Sequence, residues 1–395
     1  MKPLSRIDMT EVTRLTREGR LGEALQMLRA GLADLPPNAS NEPNPQAEAH
    51  ASIIDMEPPS AANGGAWTAA SGAAPTDPGS GARPAARGAP DRAAKPRIRV
   101  RHPAMDAADP LPPGARFEQR VHRHSAGERR YRLYVPSSRG SAPPALMVML
   151  HGCTQSPEDF ALGTRMNLLA EERGVVVAYP EQSRKANASR CWNWFNAADQ
   201  RRGGGEPESI AAITRDLVRE FGIDPRRVHV AGLSAGGAMA AILGAEYPDL
   251  FAAVGVHSGL ARGAAHDVQS AFAAMRGGAD GAVPAARTVP TIVFHGDADA
   301  TVAPINGEQV MRQARAGAVL HRQVHTGNGA DGAGWTRVVE TNADGVSTLE
   351  HWLLHGGGHA WSGGDPRGSF VAPSGPDASR EMLRFFEEVS NARRN

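Results

Sequence analysis

From about residue 130 the chain alternates between two hydrophobic rhythms. Arg130-Tyr131-Arg132-Leu133-Tyr134-Val135 places polar and apolar side chains in turn and stops at Pro136, the pattern of an amphipathic strand. Residues 145–150 and 175–179 are unbroken apolar runs, as expected of strands buried on both faces, and Pro180 closes the second. Between them, residues 166–173 have helical spacing and Gly174 ends the helix. Residues 207–221 put Ile210, Ile213, Leu217 and Val218 on one face of a helix. Further strands are predicted from Val228 and over 252–256, 291–294 and 348–354, with a last helix over 376–389. Residues 319–346 read as a hairpin, with turn signals at Asn328-Gly329 and Asp344-Gly345. No internal repeat is present. Alternating strand and helix predicts an α/β fold, a mostly parallel central sheet with helices on both faces.

Upstream the rhythm changes. Residues 10–32 carry Val12, Leu15, Leu21, Leu25, Leu28 and Leu32 at helical spacing, with Thr10 as a candidate cap and Gly19-Arg20 as a break. Such a segment docks on the main body or binds a partner. Residues 36–113 are dominated by Pro, Gly, Ala, Ser and Asn, with Trp67 the one aromatic. They offer too little apolar surface to offset ordering entropy and are expected to form a disordered linker. The predicted organisation is therefore an N-terminal helical segment (1–35), a linker (36–113) and a catalytic domain (114–395).

Composition excludes several classes. With 395 residues and 41% hydrophobic content the chain can bury a full domain core, and a net charge of +1 argues against a nucleic-acid partner. No apolar run is long enough to span a bilayer. The 44 glycines and 30 prolines are many for a compact domain and are not evenly spread. Two cysteines are too few for a disulfide scaffold but permit one bridge. After Met1-Lys2 no apolar h-region follows, so no recognisable signal peptide is expected.

The candidate chemistry gathers where strands end. Val228-His229-Val230-Ala231 leads into Gly232-Leu233-Ser234-Ala235-Gly236 and then into Ala-rich helical sequence. Strand, tight turn, helix is the setting of a nucleophile elbow, which lifts a serine hydroxyl clear of the sheet. Strand 291–294 is followed by His295-Gly296-Asp297-Ala298-Asp299, and strand 348–354 by His355-Gly356-Gly357-Gly358-His359. Ser, then Asp, then His is the chain order of α/β-hydrolases. Ser234 is the expected nucleophile, His359 the base and Asp299 the acid that orients it. Asp299 is preferred to Asp297 because it lies further out on its loop. His359 is preferred to His355 because three glycines give it a turn that can present it. The loop His151-Gly152-Cys153 fits an oxyanion hole, with the N–H of Cys153 joining that of Ala235. His151 itself reads as structural.

His151-Gly152-Cys153-Thr154-Gln155, Cys191-Trp192-Asn193-Trp194-Phe195, Gly232-Leu233-Ser234-Ala235-Gly236 and Gly358-His359-Ala360-Trp361 together resemble the esterase family of poly(3-hydroxybutyrate) depolymerases, over about 117–389. The resemblance implies an α/β-hydrolase fold and a serine ester hydrolase for short-chain polyesters or small esters, with Ser234, Asp299 and His359 catalytic and no metal or cofactor. The family overlaps with feruloyl and acetyl-xylan esterases. This chain departs from many secreted members in lacking a recognisable signal peptide and an appended polymer-binding domain. The resemblance points outside the cell and the missing h-region to the cytoplasm. Trp192, Trp194 and Trp361 are candidate substrate-binding aromatics, the alternative being that they pack their loops. Cys153 and Cys191 lie on loops that both emerge beside Ser234, so a disulfide is expected in an oxidising compartment and free thiols in a reducing one. A non-catalytic binding protein on a hydrolase fold is the reading from another class, and the intact Ser234, Asp299 and His359 set argues against it.

Overall fold

A computed structural model describes residues 110–392 apart from 125–126, 139, 141–142, 280–288 and 330, together with two short strands, β1 (Met56–Glu57) and β2 (Thr68–Ala69). The chain divides into two units. The first, Met1–Ser52 with Pro59–Ala66, lies outside the described residues, and so do the expected N-terminal helix and most of the expected linker. Within the linker, β1 and β2 pair antiparallel, a local ladder that the composition did not suggest.

The second unit holds a ten-stranded sheet. In chain order its strands are β3 (Arg116–His124), β4 (Gly127–Val135), β5 (Ala145–Leu150), β6 (Val175–Pro180), β7 (Val228–Leu233), β8 (Ala253–His257), β9 (Thr291–Gly296), β10 (His321–Asn328), β11 (Gly334–Thr341) and β12 (Ser347–Leu354). Their spatial order is β10-β11-β12-β9-β8-β7-β5-β6-β4-β3. Six neighbours, from β6 through β5, β7, β8 and β9 to β12, run parallel. Antiparallel pairs finish both edges. The central strands are buried along their whole length, as their unbroken apolar runs require, and each sheet face carries its own core cluster.

Most predicted elements fall within one to three residues of the observed ones. The 319–346 segment forms β10 and β11, closed at Gly329 N–H to Ala333 O, and Asn342–Val346 forms the turn into β12. Among the elements not predicted are β3 and the helices Pro157–Thr164, Val268–Gly277 and Ile305–Arg315. β3 is an edge strand with few apolar side chains, so it carries little periodic signal. Pro157–Thr164 has only eight residues and is set by its cap, the Ser156 side chain accepting the Asp159 N–H. Val268–Gly277 is likewise announced by a capping box between Asp267 and Ser270. Among the described residues no helix is long and apolar enough to cross a membrane.

Candidate active site

β7 delivers Ser234 at φ 57° and ψ −122°, a conformation that side-chain-bearing residues rarely adopt. The strain is held from three sides. The Ser234 N–H donates to His257 O at 2.9 Å, and its carbonyl accepts from Ala238 N–H at 2.9 Å. Gly232 and Gly236 let strand and helix meet, since a Cβ on Gly236 would be driven into the carbonyl oxygens of Leu150 and His151. The helix Ala235–Glu246 starts at the next residue, so its free N–H groups and positive dipole end face the space beside the Ser234 hydroxyl.

Asp299 and His359 come from the loops after β9 and β12, which pair in parallel and so end side by side. His359 Nδ1 donates to Asp299 Oδ2 at 2.7 Å, with both side chains buried. The other oxygen, Oδ1, accepts Thr301 N–H at 2.9 Å and Val302 N–H at 2.8 Å. Burial by itself would raise the Asp299 carboxyl, but His359, His295 and the Val302 amide outweigh it and hold it at about 2. His295 lies under the same carboxylate, 3.6 Å from Oδ2, and its Nε2 donates to Val302 O at 2.8 Å. The two loops touch through backbone. A Cβ on Gly296 would run into the Gly357 carbonyl, and Ala298 N–H donates to that carbonyl at 3.1 Å. Of the glycines before His359, Gly357 permits this approach and Gly356 turns the chain at φ 70°.

The two alternatives are placed elsewhere. Asp297 is exposed and accepts the Gly356 N–H at 2.7 Å, bracing the turn that carries His359. His355 is exposed and pairs with Thr336 Oγ1 at 2.9 Å.

Ser234 and His359 open on one cavity of about 80 Å³, also lined by Cys153 and Ala235. In the loop after β5, the Gly152 amide is engaged by Gln155 Oε1 at 2.8 Å and the Thr154 amide by Ser189 O at 2.7 Å. Cys153, between them, lines the cavity. His151 is buried and structural: Nδ1 donates to Gly152 O at 2.8 Å and Nε2 accepts Gln182 N–H at 3.1 Å. Burial lowers its pKa to about 4, so it stays neutral. Cys153 and Cys191 form a disulfide, with their Cα atoms 4.2 Å apart. It ties the loop after β5 to the Trp-rich loop and is itself cavity wall.

The three tryptophans divide. Trp194 lines the cavity and packs edge-on against Phe195. Trp192 and Trp361 are not among its lining residues and pack their loops, the alternative that the sequence left open. Trp192 is fully buried between His151 and Arg129, its Nε1 donating to His151 O at 3.0 Å. Trp361 is fully buried against His257 and Phe160 and donates to Ser379 Oγ at 3.1 Å. Large rings next to a sheet are worth more as buried area than as exposed platforms. The remaining wall was not foreseen: Leu260, Phe370 and one face of the helix Val268–Gly277, with Val268, Ala271, Phe272 and Met275. The helical spacing of those last four was the available signal. Phe370 had none.

The family described as esterase PHB depolymerase matches residues 129–340. Poly(3-hydroxyalkanoate) depolymerase C of Paucimonas lemoignei is 33% identical over 241 residues, 57% of each chain. A probable acetylxylan esterase A of Aspergillus clavatus is 31% identical over 205 residues, 46% of this chain and 64% of that protein. The chain thus spans less than two thirds of the length of these curated relatives. An acetyl xylan esterase structure from Aspergillus awamori shares the fold, with a TM-score of 0.51 at 20% identity, covering 69% of this chain and 99% of that one. The fold is that of the α/β-hydrolases. With the match to residues 129–340 running over more than half of its length, the chain belongs to the esterase PHB depolymerase family.

Proposed function

We propose that this chain is a serine ester hydrolase cleaving the ester bonds of poly(3-hydroxybutyrate)-type short-chain polyesters or their oligomers. The observation that carries the reading is the Asp299–His359 hydrogen bond at the edge of a cavity that Ser234 also lines. Asp299 engages Nδ1 of His359, which leaves Nε2 as the base. His359 Nε2 takes the Ser234 Oγ proton as Oγ attacks the ester carbonyl. The N–H groups of Cys153 and Ala235 receive the developing oxyanion, an interaction stronger in the transition state than in the bound ester. Collapse expels the alcohol, which takes the proton from His359 and leaves an acyl-Ser234. Water, deprotonated by the same imidazole, repeats the sequence and releases the acid. Throughout, Asp299 stabilises the imidazolium.

The cavity wall supports an apolar acyl or alcohol group. No Asp, Glu, Lys or Arg is among its lining residues, and Trp194, Phe195, Phe272, Met275 and Phe370 are. The Cys153–Cys191 bond supports maturation in an oxidising compartment. Similarity to an acetylxylan esterase favours a second reading, hydrolysis of acetyl or feruloyl esters on plant polysaccharide. A turnover panel of hydroxybutyrate oligomers, p-nitrophenyl esters of rising chain length, acetylated xylan and methyl ferulate separates the two. Oligomer kcat/KM above that for the polysaccharide-type esters is expected, and the reverse order would favour the second. Failure of a fluorophosphonate probe to label Ser234 would sink both and leave a binding protein.

A further inference from the structure

Gln155 takes no part in the steps above, yet its side chain joins two walls of the cavity. It is buried, at 2% exposure, and both ends of its amide are engaged. Oε1 accepts the Gly152 N–H at 2.8 Å, one residue before the Cys153 amide assigned to the oxyanion. Nε2 donates to the Ser369 carbonyl at 2.8 Å and to Asp159 Oδ2 at 3.1 Å. Asp159 in turn accepts the Ser369 N–H at 2.9 Å and the Ser369 hydroxyl. The residue after Ser369 is Phe370, which lines the cavity at φ 55°. Its carbonyl accepts Trp361 N–H at 2.8 Å, two residues beyond His359.

A phenylalanine in the left-handed region is strained and persists only where its surroundings over-determine it. Here the surroundings are the Asp159 carboxylate and the Gln155 amide on one side and the His359 turn on the other. Without them Phe370 would relax to negative φ and its ring would leave its place on the wall. The same amide holds the Gly152–Cys153 peptide. We propose that Gln155 is a positioning residue coupling the oxyanion loop to the Phe370 wall, so that one side chain governs both transition-state stabilisation and the size of group accepted beside Ser234. The inference rests on the ester-hydrolase reading.

The test compares the full-length wild type with Gln155→Leu, Phe370→Ala and the double variant on p-nitrophenyl acetate, butyrate and octanoate. For Gln155→Leu, kcat falls roughly 10–100-fold with KM within about threefold, because a displaced oxyanion donor is missed mainly in the transition state. Phe370→Ala raises the octanoate-to-acetate ratio of kcat/KM roughly tenfold by enlarging the cavity. Gln155→Leu raises that ratio in the same direction by about threefold or more, and the double variant shows less than the product of the two effects, the mark of a shared route. A ratio in Gln155→Leu equal to wild type, a kcat equal to wild type, or a Phe370→Ala ratio equal to wild type overturns the coupling. If Gln155→Leu does not fold, Asp159→Ala removes the carboxylate that holds Gln155 Nε2 together with the Ser369 N–H and hydroxyl, and leaves the Gln155 bond to the Ser369 carbonyl. The same rise in ratio is expected, and an unchanged ratio overturns the proposal. A wild type that hydrolyses none of the esters removes the ester-hydrolase reading itself, and this inference with it. That outcome is distinguished by appearing in the wild-type control.

Discussion

Ser234 stands on a turn at φ 57° and lines the cavity, so in the proposed mechanism its hydroxyl contributes to chemistry and little to packing. Ser234→Ala should lower ester turnover below about 1% of wild type, since loss of the nucleophile costs several orders of magnitude. The melting temperature should stay within a degree or two. Residual turnover well above that level would remove Ser234 from the mechanism. The two aspartates separate by their partners. Asp299→Asn keeps the shape but cannot hold an imidazolium or enforce the Nδ1–H tautomer, and kcat should fall by about 10³–10⁴. Asp297→Asn keeps a carbonyl for the Gly356 N–H and should cost far less. Reversed results in a side-by-side assay would overturn the assignment.

At the level of elements, the site is the meeting of the segments that follow the six parallel strands, β5, β6, β7, β8, β9 and β12. The covalent tie is Cys153–Cys191, closing 38 residues that include β6 and the start of the Trp-rich loop. The chain-entropy model gives such a loop about 3–4 kcal/mol. Reduction should lower the urea midpoint and should depress kcat more than it raises KM, because the Cys153 amide acts mainly on the transition state. Thiol counting on denatured, unreduced protein exported to the periplasm should find no free thiol. Two free thiols there would remove both the tie and the case for an oxidising compartment.

The whole molecule carries several histidines that burial keeps neutral: His151 at about 4, His257 at about 3 and His351 at about 4, against 6.5 for an exposed imidazole. Their folded pKa values lie below the unfolded one. Between pH 6.5 and about 4 the unfolded chain therefore takes up protons that the native state refuses. Stability is full above pH 6.5 and falls as the pH drops, by up to about 1.4 kcal/mol per pH unit for each such group. Asp299, held at about 2, adds its own loss only below about 3.8. Urea midpoints measured from pH 7.5 to 4.5 should decline steadily, and a flat profile would contradict the buried neutral assignments. Among the described residues, the ten-stranded sheet and the cavity are assembled from residues after Ala115. A chain starting near Leu111 should accordingly fold and hydrolyse small soluble esters at close to the full-length rate. An insoluble or inactive truncation would show that earlier residues complete the domain.

Local sequence was enough for the buried strands, because an unbroken run such as Ala145–Leu150 has no other stable home than the middle of a sheet. It was enough for the elbow, because Gly-x-Ser-x-Gly between a strand and a helix marks the turn locally, although the backbone that Gly236 must clear is that of Leu150 and His151. It was enough for the chain order of Ser234, Asp299 and His359. Edge strand β3 and the short capped helices were not legible, since their stability comes from pairing and caps and not from periodicity. The side of the sheet on which a tryptophan comes to rest was not legible either. Trp192, Trp194 and Trp361 sit in similar motif loops, and only the packing of those loops sends one to the cavity and two to the core. The approach of Gly296 to Gly357, the bond between Asp299 and His359 across 60 residues, and the link from Gln155 to Ser369 across 214 are made by chain segments far apart in sequence. They exist only once parallel pairing of β9 with β12 and closure of the loops bring those segments together, so tertiary structure alone decides them.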